Sequence, residues 1–133
     1  MKTCELTGAA LDWAVAKAAG YSEIKVYAPR RPSDRGWIEV RFNPEPKAST
    51  ARFDPSVNWE QGGPIIERER VTLRASTTAG TDWAAFYDVP GQYRAAIRER
   101  GPTPLIAAMR CYVASKLGDE VNLPAALTPN PEA

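Results

Sequence analysis

Residues 101–118, GPTPLIAAMRCYVASKLG, decide the fold, because they carry the strongest helix signal in the chain. Pro104 has no amide hydrogen to lose and a φ already near the helical value, so it suits the first helical position. Thr103 is then the N-cap, with a hydroxyl able to accept from an early unpaired amide. Gly118 closes the helix, where positive φ is common, and Lys116 in the last turn suits the helix dipole. At about 100° per residue, Ile106, Met109, Val113 and Leu117 fall on one apolar stripe, with Leu105 and Tyr112 beside it. Ala107, Ala108 and Ala114 let neighbouring backbone approach. Arg110 interrupts the pattern at the edge of that stripe, about 40° from Ile106. A guanidinium there either snorkels to water or needs a carboxylate or several carbonyls.

Working outward, residues 5–19 read as a first helix, with Leu11, Ala14, Val15 and Ala18 on one face and Gly20 at its end. Trp13 lies nearly opposite that face. Residues 23–28 alternate with Ile24 and Val26 on one side. Residues 36–42 alternate Trp37, Glu39 and Arg41 against Ile38, Val40 and Phe42. Both are predicted strands, joined as an antiparallel hairpin through the polar PRRPSDRG segment. Residues 43–52 show no apolar period and read as an exposed loop. A helical turn at Val57–Glu60 precedes a short helix near 64–69, for which Pro64 supplies the first position after Gly62 and Gly63. Residues 71–75 and 83–89 are further strand candidates, and 92–100 read as irregular or weakly strand. Two main helices on one face of an antiparallel sheet, an α+β fold, follow from this order. Residues 1–123 form the single expected domain and 124–133 a surface tail.

Composition narrows the function. A chain of 133 residues that is 44% hydrophobic and 25% charged is ordinary for one globular domain. A net charge of +1 implies no strongly charged partner. Arginine outnumbers lysine twelve to five, which reflects either planar anion contacts or genome composition. The chain has no histidine, which removes the commonest general base and metal ligand. Cys4 and Cys111 form no CxxC pair. They read as reduced thiols in a cytosolic protein without zinc, disulfide or cofactor. No apolar run approaches the ~20 residues of a membrane span.

Three segments resemble one family. GPTPLIAAMRCYVASKLG is similar to the C-terminal signature of the NinX-like family of small phage proteins. LTGAALDWAVAKA at 6–18 and the run from FDPS at 53–56 through WEQGGPIIERE at 59–69 fit the same family, in the family's order. The resemblance implies a temperate-phage accessory protein in the host cytoplasm, and it implies no reaction. Residues 28–52 and 88–100 match no recognisable family word.

The candidate binding residues are Arg110, Glu67, Gly62, Gly63, Trp59 and Asp12. Glu67 is the favoured carboxylate for Arg110, with Glu69 and Asp12 as alternatives; the pair would clip the short charged helix to the last one. If Arg110 instead points into a cleft floored by Gly62 and Gly63, the cleft takes an anion. Glu67 and Glu69 diverge by about 200° on a helix, so they cannot act as a catalytic pair. Tryptophans 13, 37, 59 and 83 could stack bases, but their even spread fits a core better. The element order resembles a double-stranded RNA-binding domain, yet GPTPLIAA carries no cation before Arg110, which argues against RNA. The leading expectation is a non-enzymatic module that binds a host or phage protein. The alternative is a small-ligand or nucleotide binder, such as one sequestering a defence signal through the Arg- and Trp-containing segment 30–37. Weak nucleic-acid binding comes third.

Overall fold

The computed structural model describes residues 1–27, 36–42, 49–76, 80, 82–88 and 95–128. The first helix, α1 (Gly8–Ala18), follows a 3-10 turn at Thr3–Glu5. Strands β1 (Ile24–Tyr27), β2 (Trp37–Phe42) and β3 (Ser49–Phe53) come next, then α2 (Trp59–Glu69). Strands β4 (Thr72–Ala75), β5 (Trp83–Asp88) and β6 (Ala95–Gly101) lead into α3 (Pro104–Leu117). A 3-10 turn at Ala125–Leu127 falls in the expected tail, packs beside β1 and tucks Leu127 against the core. The class is α+β, as the element order implies.

The sheet arrangement differs from the single sheet expected. The six strands form two antiparallel sheets, ordered β1-β2-β3 and β4-β5-β6. Strands at 23–28 and 36–42 therefore do not share a sheet with 83–89. Alternation in a sequence reports which side chains share a face and says nothing about which strands pair. Nor do both helices cover one sheet face. α1 packs on β2 and on α3, while α3 packs along β4, β5 and β6.

This works because α3 is apolar almost all round. Leu105, Ala107, Ala108, Met109, Cys111, Tyr112, Val113 and Ala114 are all buried, which no single stripe accommodates. A helix of that kind belongs inside a protein, with neighbours on several sides. The predicted stripe is only half right: Met109 and Val113 are fully buried, Ile106 is partly buried, and Leu117 is 39% exposed. Its ends are as expected. Thr103 accepts from the Ile106 amide at 3.1 Å, Pro104 opens the helix, and Gly118 leaves it at φ +89°. Thr3 caps no helix. Its hydroxyl donates to the Gly118 carbonyl at 2.6 Å and its amide to the Asp119 carbonyl at 2.8 Å, tying the N-terminus to the end of α3.

Two local readings change and a third is resolved. Residues 49–53 form β3 because Ala51 and Phe53 pair across β2 with Val40 and Ile38, giving a short segment a buried face. Residues 95–101 form β6, the strand alternative of the sequence reading; AAIRER favours helix by composition, and pairing with β5 and packing on α3 override that preference. α2 begins at Trp59 rather than Pro64, and it runs eleven residues through both glycines and the proline. Asn58 starts it by accepting from the Glu60 amide at 2.9 Å. Pro64 forfeits one bond, to the carbonyl of Glu60, an exposed residue in the first turn.

Candidate functional site

Arg110 does not meet Glu67. Its Nε donates to the Leu6 carbonyl at 2.9 Å and its Nη1 to the Arg100 carbonyl at 2.8 Å. The guanidinium thus ties α3 to the start of α1 and the end of β6, and it takes the carbonyl option. Partial burial lowers its pKa, while nearby Cys4, Glu99 and Asp82 work the other way. Burial also raises the pKa of Glu99, as does Asp119, and Arg110 opposes both. No ion pair among the described residues includes Arg110 or Glu67.

The clip between α2 and α3 exists with other partners. Glu69 meets Lys116 at 3.5 Å, Ile65 is buried, and Gly62 presses on Leu105. A Cβ built on Gly62 would lie 2.6 Å from Leu105 Cδ2 and 2.7 Å from the Pro55 carbonyl oxygen. Gly62 is therefore a close-packing residue inside a helix. It is not among the residues lining the cleft that Arg110 lines, and Arg110 turns to the Leu6 and Arg100 carbonyls instead. Gly63 has open space around it.

Asp12 belongs to a separate network. It is 4% exposed on α1 and accepts from the Ser56 amide at 2.9 Å, fastening the FDPS turn to the helix. Burial pushes its pKa up from 3.8 to about 7, against the lowering effect of Ser56. From that turn, the Asp54 amide donates to Gln61 Oε1 at 2.6 Å, and Gln61 Nε2 donates to the Arg52 carbonyl at 2.8 Å. The amides of Val57 and Asn58 both donate to the Asp54 carbonyl, at 3.1 and 2.9 Å. The backbone from 52 to 62 is thus closed by its own hydrogen bonds. On it stand Val57, 68% exposed, and Trp59, 55% exposed. Trp13 and Trp83 pack against the core, and Trp37 stacks on Tyr27 at 4.0 Å between centroids. Trp59 is the tryptophan that the fold leaves outside.

A second surface lies at β6. An open cleft of about 400 Å³ is lined by Cys4, Asp82, Arg98, Glu99, Arg100 and Arg110 among others. A smaller one, about 210 Å³, adjoins it and shares Asp82 and Arg100, with Arg74 on its other side. Sequence reasoning reached Arg110 and missed Arg74, Arg98 and Arg100. The signal was the R-x-R spacing at 98–100, which puts two guanidinia on one face once the segment is a strand. The segment 30–37 falls mostly outside the described residues, which begin again at Gly36. Among the described residues no group of three His, Cys, Asp or Glu could hold a metal ion. No described helix is long and apolar enough to cross a membrane. Cys4 is exposed, Cys111 is buried in α3, and neither is in a disulfide.

These features define a small α+β protein with two antiparallel sheets on a helical pair, a hydrogen-bonded corner carrying an exposed tryptophan, and an arginine-lined cleft. The family described as bacteriophage P22 NinX matches residues 2–116, and the chain belongs to that family. The match runs through residues 28–52 and 88–100 as well, so those segments lie inside the family's span. No curated protein matches the chain.

Proposed function

We propose that this chain is a non-enzymatic phage accessory protein that acts in the host cytoplasm by binding a host or phage protein, with Val57 and Trp59 at the contact. The observation that carries the reading is the exposed pair on a hydrogen-bonded frame. A scattered surface apolar residue needs no explanation. Here two large ones, two residues apart, stand on backbone closed by its own hydrogen bonds. A tryptophan presented on pre-ordered backbone suits a binding hot spot, because little ordering is left to do on association. The absence of histidine leaves the chain without the usual general base, which favours binding over acid–base chemistry.

The test is affinity capture of the tagged full chain during infection, comparing wild type with a Val57→Ser/Trp59→Ser variant. The reading expects a partner whose recovery falls at least about tenfold in the variant. Folding stability should change by no more than about 0.5 kcal/mol, as for exposed sites. Equal recovery of every captured protein by the two chains would overturn it.

A further inference from the structure

We infer that the outer face of the β4-β5-β6 sheet binds single-stranded nucleic acid along a track of Arg74, Arg98 and Arg100. The register sets the face. Arg74, Ala84 and Arg100 lie opposite one another across the three strands, and Thr72, Phe86 and Arg98 form the next row. The alternate residues Leu73, Trp83, Ala85, Tyr87 and Ile97 pack toward the core on the other face. Of the six outward positions in those two rows, three are arginine and none is acidic. The whole chain carries only +1, so these three arginines stand on a chain whose other residues are net negative.

The first sheet shows what a neutralised face looks like. There Arg41 pairs with Glu23 at 3.1 Å and Arg52 with Asp54 at 3.7 Å. No such pair involves Arg74, Arg98 or Arg100 among the described residues, and Asp82 stands at the rim of both clefts without an ion pair. The guanidinia are instead spread over an aromatic ring: Arg74 and Arg98 lie 5.2 and 4.9 Å from the Phe86 centroid. Guanidinium planes held this way keep their donors for phosphate and offer stacking surfaces to unpaired bases. The arginine side chains start about 7 Å apart along β6 and about 10 Å apart across the sheet. At the edge of β6, Arg98 and Arg100 also line the larger cleft, where Asp82, Glu99 and the carbonyl-bound Arg110 lie, so the track is confined to the outward face. A flat, open track fits an extended strand. It inserts no helix or ribbon into a duplex groove.

The experiment is fluorescence anisotropy of the full chain with labelled oligothymidylate and oligouridylate, at low and physiological salt, with polyglutamate as competitor. The wild type should bind either oligonucleotide and weaken as salt rises. The Arg74→Gln/Arg98→Gln/Arg100→Gln variant should lose at least about tenfold in affinity and reduce the logarithmic salt slope by about 2. A charge-matched control, Lys17→Gln/Lys25→Gln/Arg68→Gln, should bind nearly as wild type does. If the glutamine triple loses its melting transition, the Arg→Lys triple decides: affinity should fall at an unchanged salt slope, and unchanged affinity would contradict the stacking geometry. Absence of oligonucleotide binding by folded wild type at low salt, equal loss in the control, or preference for polyglutamate would overturn the inference. The last would point to an acidic protein segment instead.

Discussion

Asp12 is the buried charge whose behaviour is most easily checked. Its folded pKa of about 7 lies above the ordinary carboxylate value because burial disfavours the ionised form. The folded state therefore holds a proton that the unfolded chain releases. The stability from this group is fully present below about pH 4, falls as pH rises, and is lost above about pH 7. Asp12→Asn keeps an oxygen acceptor for the Ser56 amide and does not titrate. Denaturant melts at several pH values should show the variant gaining on wild type between pH 4 and 8, by on the order of a few kcal/mol. Parallel curves would mean that the carboxyl reaches water. Arg110 gives the second residue-scale prediction. Removing it leaves two carbonyls, of Leu6 and Arg100, without their donor. Arg110→Ala should cost about 1–3 kcal/mol, and Glu67→Ala should add its own small effect independently. A coupling between them above about 0.5 kcal/mol would restore the carboxylate pairing read from the sequence. That the guanidinium needed partners was legible from its place on the helix wheel. Which partners it finds was not, because backbone carbonyls at Leu6 and Arg100 leave no trace in residue type.

At the scale of elements, the adjacent glycines of α2 should respond with opposite sign. Gly62→Ala forces a methyl against Leu105 and the Pro55 carbonyl, and should cost about 1–3 kcal/mol. Gly63→Ala meets open space in a helix and should stabilise by about 0.5–1 kcal/mol. Gly101→Ala should also destabilise, since its Cβ would come 2.7 Å from the Ala107 amide nitrogen where β6 turns into α3. Thermal melts of the three variants check all of this; a stable Gly62→Ala would show that α2 sits farther from α3. Helix α3 was readable to its ends because Thr103, Pro104 and Gly118 are local signals. Helix α2 was half readable: Pro64 suggested a start, while the true start rests on Asn58 and the FDPS turn beside it. Strand β6 was only weakly legible because its composition favours helix, and its neighbours decide it as a strand.

At the scale of the whole molecule, one all-round apolar helix contacts the second sheet and α1, and α1 carries the first sheet. The alternating strands announced two-faced sheets, but their division into two sets of three depends on packing that no window of sequence contains. The same division separates two surfaces, the tryptophan corner on α2 and the arginine face of the second sheet. The measurement that tests the central claim most directly is photo-crosslinking in infected cells, with a photoreactive amino acid replacing Val57 and, as comparison, Lys25 on the first sheet. A discrete crosslinked species from position 57, absent from position 25, is the predicted result. Crosslinks from position 25 alone, or from neither position in a chain that supports normal infection, would contradict a protein contact at the tryptophan corner.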